Sequence, residues 1–331
     1  MITSRKPIAM PVPDARGPLS ELAIALLHGG STGRPIDFPQ DALDDSDFHL
    51  ALWMCYELHY RGFSGIDDER EWDPAVLEFR SLLEGQFLTA LHGAVQAETP
   101  ESAGDVPTML VKLVARDDGP PLSLYLQRSA TAEQFREFVQ HRSVYHVKEA
   151  DPHSWAIPRL QGRAKAALIE IQSDEYGGGL LDRMHSELFR QTMRGLGLTD
   201  GYGDYLDRVP GVTLAISNLM SLFGLHRRWR GAIAGHLAVF EMTSSIPNRR
   251  YARGIRRLGG DDSTARFYDE HVEADAVHEQ IAAYDLCGSL AEDEPMLAQD
   301  ILFGAAAALY LDARFGQYLL ERWNAGATTL L

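Results

Sequence analysis

Only two cysteines, Cys55 and Cys287, occur in 331 residues. That count leaves no disulfide framework and no zinc-type cysteine cluster. No uninterrupted apolar run approaches the roughly 20 residues that span a bilayer. The first 13 residues also lack the apolar core of a secretory signal. A soluble, cytoplasmic chain is therefore expected, with no membrane partner. No G-x-G-x-x-G or P-loop pattern occurs, which argues against a nucleotide-binding α/β domain. Positive charge is scarce: 31 Lys and Arg stand against 47 Asp and Glu, for a formal net charge of −16. Such a surface repels polyanions, so nucleic acid is not an expected partner. There is no internal repeat and no low-complexity tract.

What is present reads as globular and helical. Apolar residues make up 45% of the chain and charged residues 24%, enough for one large domain or two ordinary ones. Residues 1–18, rich in Pro, Gly and charge, read as a flexible leader. Residues 19–125 form a helical accessory region, with apolar residues at helical spacing around Leu22–Leu27, Phe48–Leu58 and Val76–Leu91. Met109–Ala115 and Leu122–Gln127, separated by Asp117-Asp-Gly-Pro-Pro121, are β-prone and suggest a short hairpin near 109–127. From 126 to 331 the pattern is helical throughout. Thr131 is the expected N-cap of a helix running to about 149. Further helices are expected at about 158–176, 180–196, 213–223, 230–243 (ending before Ser244-Ser-Ile-Pro247), 263–284 and 294–325. The fold class is all-α.

The chemistry-bearing residues gather in this second part. His271, Asp275 and His278 lie within roughly 60° of one another at about 100° per residue, so two imidazoles and a carboxylate share one helix face. An exposed polar face is the alternative. A buried one requires pairing or a metal, because a lone buried charge is costly. Glu175 and His185 would diverge by about 80° on a regular helix, but Gly177, Gly178 and Gly179 between them permit a local break. Glu241 sits in an otherwise apolar helix, where a carboxylate is rarely left unpaired. Glu149 ends a helix just before Asp151-Pro152. These three His and four carboxylates form a hard O/N donor set suited to iron or manganese. They are too many for one octahedral ion and about right for two, and helical bundles build such sites from several helices. Glu57 and His59 read as packing or interface residues. His236, off the Glu241 face by about 140°, reads as structural, and the basic turns around 226–230 and 249–257 as surface helix ends.

With this motif order, residues 126–325 resemble the haem-oxygenase-like diiron oxidases and oxygenases, which bind no haem, and most closely their N-nitrosourea-forming branch. The resemblance rests on Glu149, Glu175 with His185, Glu241, and His271/Asp275/His278. It implies a seven-helix fold, two irons bound by these residues, and O2 as co-substrate through a peroxo-diiron(III) intermediate. It also implies an external electron donor, a last core helix that is mobile without iron, and a homodimer formed through the N-terminal region. The expected reaction is N-oxygenation of an amine or guanidine of an amino-acid-like metabolite in specialised metabolism. C–H desaturation or oxidative C–C cleavage of a small acid or amino acid is the alternative, and iron storage a third.

Overall fold

The computed structural model describes residues 9–31 and 36–331, with the side chains of 273–276 excepted. Three helices open the chain: α1 (Pro18–Leu27), α2 (Ser46–Glu57) and α3 (Pro74–Ala94). Two short ones follow, α4 (Val106–Ala115) and α5 (Leu122–Arg128). The remainder comprises α6 (Ala132–His146), α7 (Asp151–Ser154), α8 (Gly162–Glu175), α9 (His185–Gly195), α10 (Gly211–Leu225), α11 (Arg230–Arg257) and α12 (Asp262–Gln280). A π-helical turn, Ile281–Gly288, leads to α13 (Ser289–Asp293) and α14 (Ala298–Asn324). Side-chain caps fix the starts of α2, α6 and α12, where they satisfy orphan N–H groups. Asp45 accepts from Phe48 N at 2.7 Å, Thr131 from Gln134 N at 3.2 Å and Asp261 from Thr264 N at 2.8 Å.

The all-helical reading holds, and four local expectations are corrected. The hairpin near 109–127 is replaced by α4 and α5. Val106 and Leu110 are buried one turn apart, and so are Leu122 and Leu126, so burial at helical spacing overrides β-propensity. Among the described residues the only bridge of strand type joins Met10 and Phe63. The second correction is α11, which runs through Pro247 instead of stopping before Ser244. Proline removes one backbone donor, yet Asn248, Ala252 and Ile255 beyond it are buried against neighbouring helices, and that packing outweighs the lost bond. Third, the helix expected from 158 begins at Gly162, because a short 3-10 turn, Ile157–Arg159, precedes it. Fourth, α9 begins only at His185, after an irregular Gly177–Met184 segment.

Both expected regions share one hydrophobic core, and α5 straddles the boundary expected at 125/126. Of the expected leader, residues 1–8 lie outside the described residues. Ser64 N donates to Met10 O at 2.7 Å and Arg16 to Leu206 O at 2.7 Å, so residues 10–16 are tied to the fold. The Pro295–Asn324 helix is apolar and long enough to cross a bilayer, but 61% of its apolar window is buried inside the fold, the pattern of a core helix. It packs closely on α11. A Cβ at Gly235 would overlap the Ile301 carbonyl oxygen, and one at Gly304 the Ala232 carbonyl oxygen.

This contact predicts opposite effects for two alanine substitutions. Gly235→Ala should lower the unfolding free energy by about 1–3 kcal/mol through overpacking. Gly85→Ala, at an α3 position where an added Cβ meets nothing, should raise it by about 0.5–1 kcal/mol. Denaturant unfolding of both variants checks the pair of signs.

Candidate metal centre

Four chain segments deliver the first group of candidate ligands. Glu149 lies in the turn after α6, Glu175 ends α8, His185 opens α9, and His271 sits on α12. The Glu175–His185 spacing works through the glycines. Gly177, Gly178 and Gly179 all have positive φ, at 64°, 59° and 81°, where L side chains are strained. A Cβ at Gly177 would also collide with the Arg183–Met184 peptide. The chain therefore turns back on itself and sets Glu175 Oε2 3.0 Å from His185 Nδ1.

Glu149, Glu175, His185 and His271 are all buried, and each offers one donor atom within 4.8 Å of the others. His271 Nε2 is 3.7 Å from Glu149 Oε1, and the His185 and His271 ring centroids are 4.3 Å apart. His271 Nδ1 donates to the Phe267 carbonyl at 2.8 Å. This fixes the tautomer and leaves the Nε2 lone pair facing the group, the usual arrangement behind a ligating histidine. Glu149 Oε2 is buried with no hydrogen-bond partner among the described residues. A buried carboxylate oxygen without a donor, beside an imidazole lone pair of fixed direction, suits a cation. The O/N set suits iron.

A second group adjoins it. Glu241 on α11 places Oε2 3.4 Å from His278 Nδ1, and His278 Nε2 contacts Asp174 Oδ2 at 2.9 Å. The Asp275 side chain lies outside the described residues. Glu149, Glu175, Glu241 and His271 line one cavity of about 660 Å³, together with Tyr145, His153, Phe240 and Phe267.

Electrostatics follow from burial. Desolvation raises the Glu149 carboxyl, but His146 and His271 overcome it and hold the group well below the usual carboxylate range. Glu175 is likewise raised by burial and brought below its ordinary value by His185. Burial lowers His185, and Glu175 reverses that. For His278, burial lowers the pKa, while the hydrogen bond and charge of Glu241, then Asp174, raise it to about 9. Tyr145 is pushed far up by burial and then by Glu149, Glu175 and Glu241, so it stays protonated.

Sequence reasoning missed His146, Asp174 and Tyr145. His146 Nδ1 meets Glu149 Oε1 at 2.7 Å. The i,i+3 spacing of His146 and Glu149 was the available signal. Glu57 and His59 lie outside the ligand group. Glu57 is engaged by Lys148 and Tyr202, and His59 by Glu71. His236 is fully buried, with Nδ1 3.1 Å from His153 Nε2. Burial pushes the Cys55 thiol up to about 12 and raises Cys287 as well, so neither is poised as a nucleophile. In the basic turns, Arg228 pairs with Asp300, Arg230 with Glu294, and Arg256 with Asp262 and Asp269.

The model of the iron-containing redox enzyme family matches residues 136–313, a span that contains every candidate ligand named above. Nitrosourea synthase from Streptomyces achromogenes subsp. streptozoticus is similar, at 25% identity over 146 residues. That match covers 44% of this chain and 31% of the relative, so the chain spans under a third of that protein's length. An oxidoreductase role and the helical fold agree with the buried Glu/His group, and the chain belongs to the iron-containing redox enzyme family.

Proposed function

We propose that the chain is a non-haem diiron oxygenase that N-oxygenates an amine or guanidine nitrogen of an amino-acid-like metabolite. The observation that carries this reading is the buried four-ligand group beside a second Glu/His pair, with both opening on one cavity. Glu149, Glu175, His185 and His271, together with Glu241, Asp275 and His278, would hold the two irons. Iron bound there supplies the electrons that reduce O2. The protein's own groups do the rest. His146 orients Glu149, and the Phe267 carbonyl orients His271. Tyr145 keeps a donor proton beside three carboxylates. Phe240 and Phe267 contribute apolar wall to the cavity. The name of the relative supports nitrogen as the atom oxidised. A homodimer, an external electron donor and a cytoplasmic setting belong to the same reading.

Anaerobic Fe(II) loading of the full chain should give two irons per chain and O2 consumption on mixing. His271→Ala and Asp275→Ala should each drop the iron content and abolish O2 consumption while far-ultraviolet circular dichroism stays unchanged, because ligands are lost before fold determinants. Retained turnover in either variant would refute the assignment. Mass spectrometry of amine, guanidine and carboxylic-acid panels distinguishes oxygen added at nitrogen from alkene formation, and alkene products would favour C–H chemistry.

Proton displacement gives a pH test. The folded-state pKa of His278 is raised from 6.5 to about 9. In metal-free protein its stabilising charge is therefore fully present below the unfolded pKa of 6.5 and lost as pH rises through about 9. Metal binds the neutral ring, so metal affinity should rise over that same window with proton release. Thermal unfolding of metal-free protein should fall between these limits, and more weakly in His278→Ala. Equal slopes in the two proteins would contradict the assignment of the proton.

A further inference from the structure

We propose that the N-terminal helical region is a positioning clamp for the Glu149 turn, acting through a buried ion pair between Glu57 and Lys148. The proposal rests on the reading of Glu149 as a metal ligand. The turn that carries Glu149 leaves α6 and re-enters helix at α7, and in it Ala150 adopts φ 73°, the one positive φ of a non-glycine residue among those described. A left-handed alanine is strained, so its surroundings must hold it.

Two sides do so. From α8, Gln172 Nε2 donates to Ala150 O at 2.9 Å, and Tyr176 donates to Asp151 Oδ1 at 2.8 Å. The other side is the N-terminal region. Lys148 Nζ lies 3.2 Å from Glu57 Oε2, with both side chains at most 1% exposed. Tyr202 donates to the same oxygen at 2.7 Å. The ammonium sits 4.1 Å from the Tyr60 ring centroid and 5.2 Å from that of Trp53. Arg61, four residues after Glu57, reaches the Val147 carbonyl at 3.4 Å and Asp151 at 4.0 Å, spanning both ends of the turn.

Lys148 and Glu149 are consecutive, with Cα atoms about 3.8 Å apart, and they serve opposite sides of the turn. A displacement of Lys148 thus moves the ligand. A buried ion pair is seldom more stabilising than an apolar pair of the same volume. Fixing the position of the next residue is what the pair adds.

Titration of Co(II) into the metal-free full chain, read by visible absorption and chelator competition, tests this alongside thermal unfolding. Glu57→Gln should weaken Co(II) binding by about 10–100-fold in protein of unchanged helicity. The apolar double variant Glu57→Leu/Lys148→Met should recover thermal stability without recovering affinity. Should Glu57→Gln fail to fold, Tyr202→Phe, which removes only one hydrogen bond to Glu57, should weaken binding in the same direction. Wild-type affinity in the folded single variants, or recovery of affinity as well as stability in the double variant, would overturn the clamp and leave packing alone. Glu149→Gln separates the two readings. If it leaves Co(II) binding intact, the metal-centre assignment falls and the clamp with it. If it weakens binding and the Glu57 and Tyr202 variants do not, only the clamp falls.

Discussion

Three carboxylates, those of Glu149, Glu175 and Glu241, are buried around one cavity, and the architecture around them has to compensate that charge. At about 4 Å, even with an effective dielectric of 20, two like charges repel by about 4 kcal/mol. The protein answers with imidazoles. His146 and His271 face Glu149, His185 faces Glu175, and His278 faces Glu241. For Glu149 and Glu175 those contacts outweigh the upward push of burial and bring the carboxyl pKa below its ordinary value. The same pairs leave O and N donors directed at one another across a space that could take a cation.

Holding such a group requires stiff supports. α11 contributes Glu241 and is pressed against α14 at Gly235 and Gly304, where the absence of side chains lets the backbones meet. α12 carries two histidines seven residues apart and continues into the π-helical Ile281–Gly288 turn, a feature often found near functional sites. Glu149 is different, because it rides on a turn and not on a helix. Its position depends on side chains from α8 and from the N-terminal region. The N-terminal helices share one hydrophobic core with the rest of the bundle.

Much of this was legible in the sequence because ligand chemistry is local. The His271/Asp275/His278 spacing fixes a common helix face whatever the surroundings. Glu241 in an apolar helix announces a buried charge that needs a partner. The cap at Thr131 and the break at Gly177–Gly179 follow from backbone preferences that operate over a few residues.

Other features depended on burial, which no single segment encodes. The 109–127 stretch has strand-forming residues, yet its apolar side chains meet the bundle at helical spacing and become α4 and α5. Pro247 should end a helix, yet buried neighbours carry α11 past it. The partners Tyr145 and Asp174 acquire their roles only when separate helices converge. Glu57 and Lys148, 91 residues apart, show the division most plainly. Sequence determined which atoms could bind a metal, because donor chemistry belongs to the residue. Tertiary structure decided which of them are held together, because desolvation and contact belong to the packed chain.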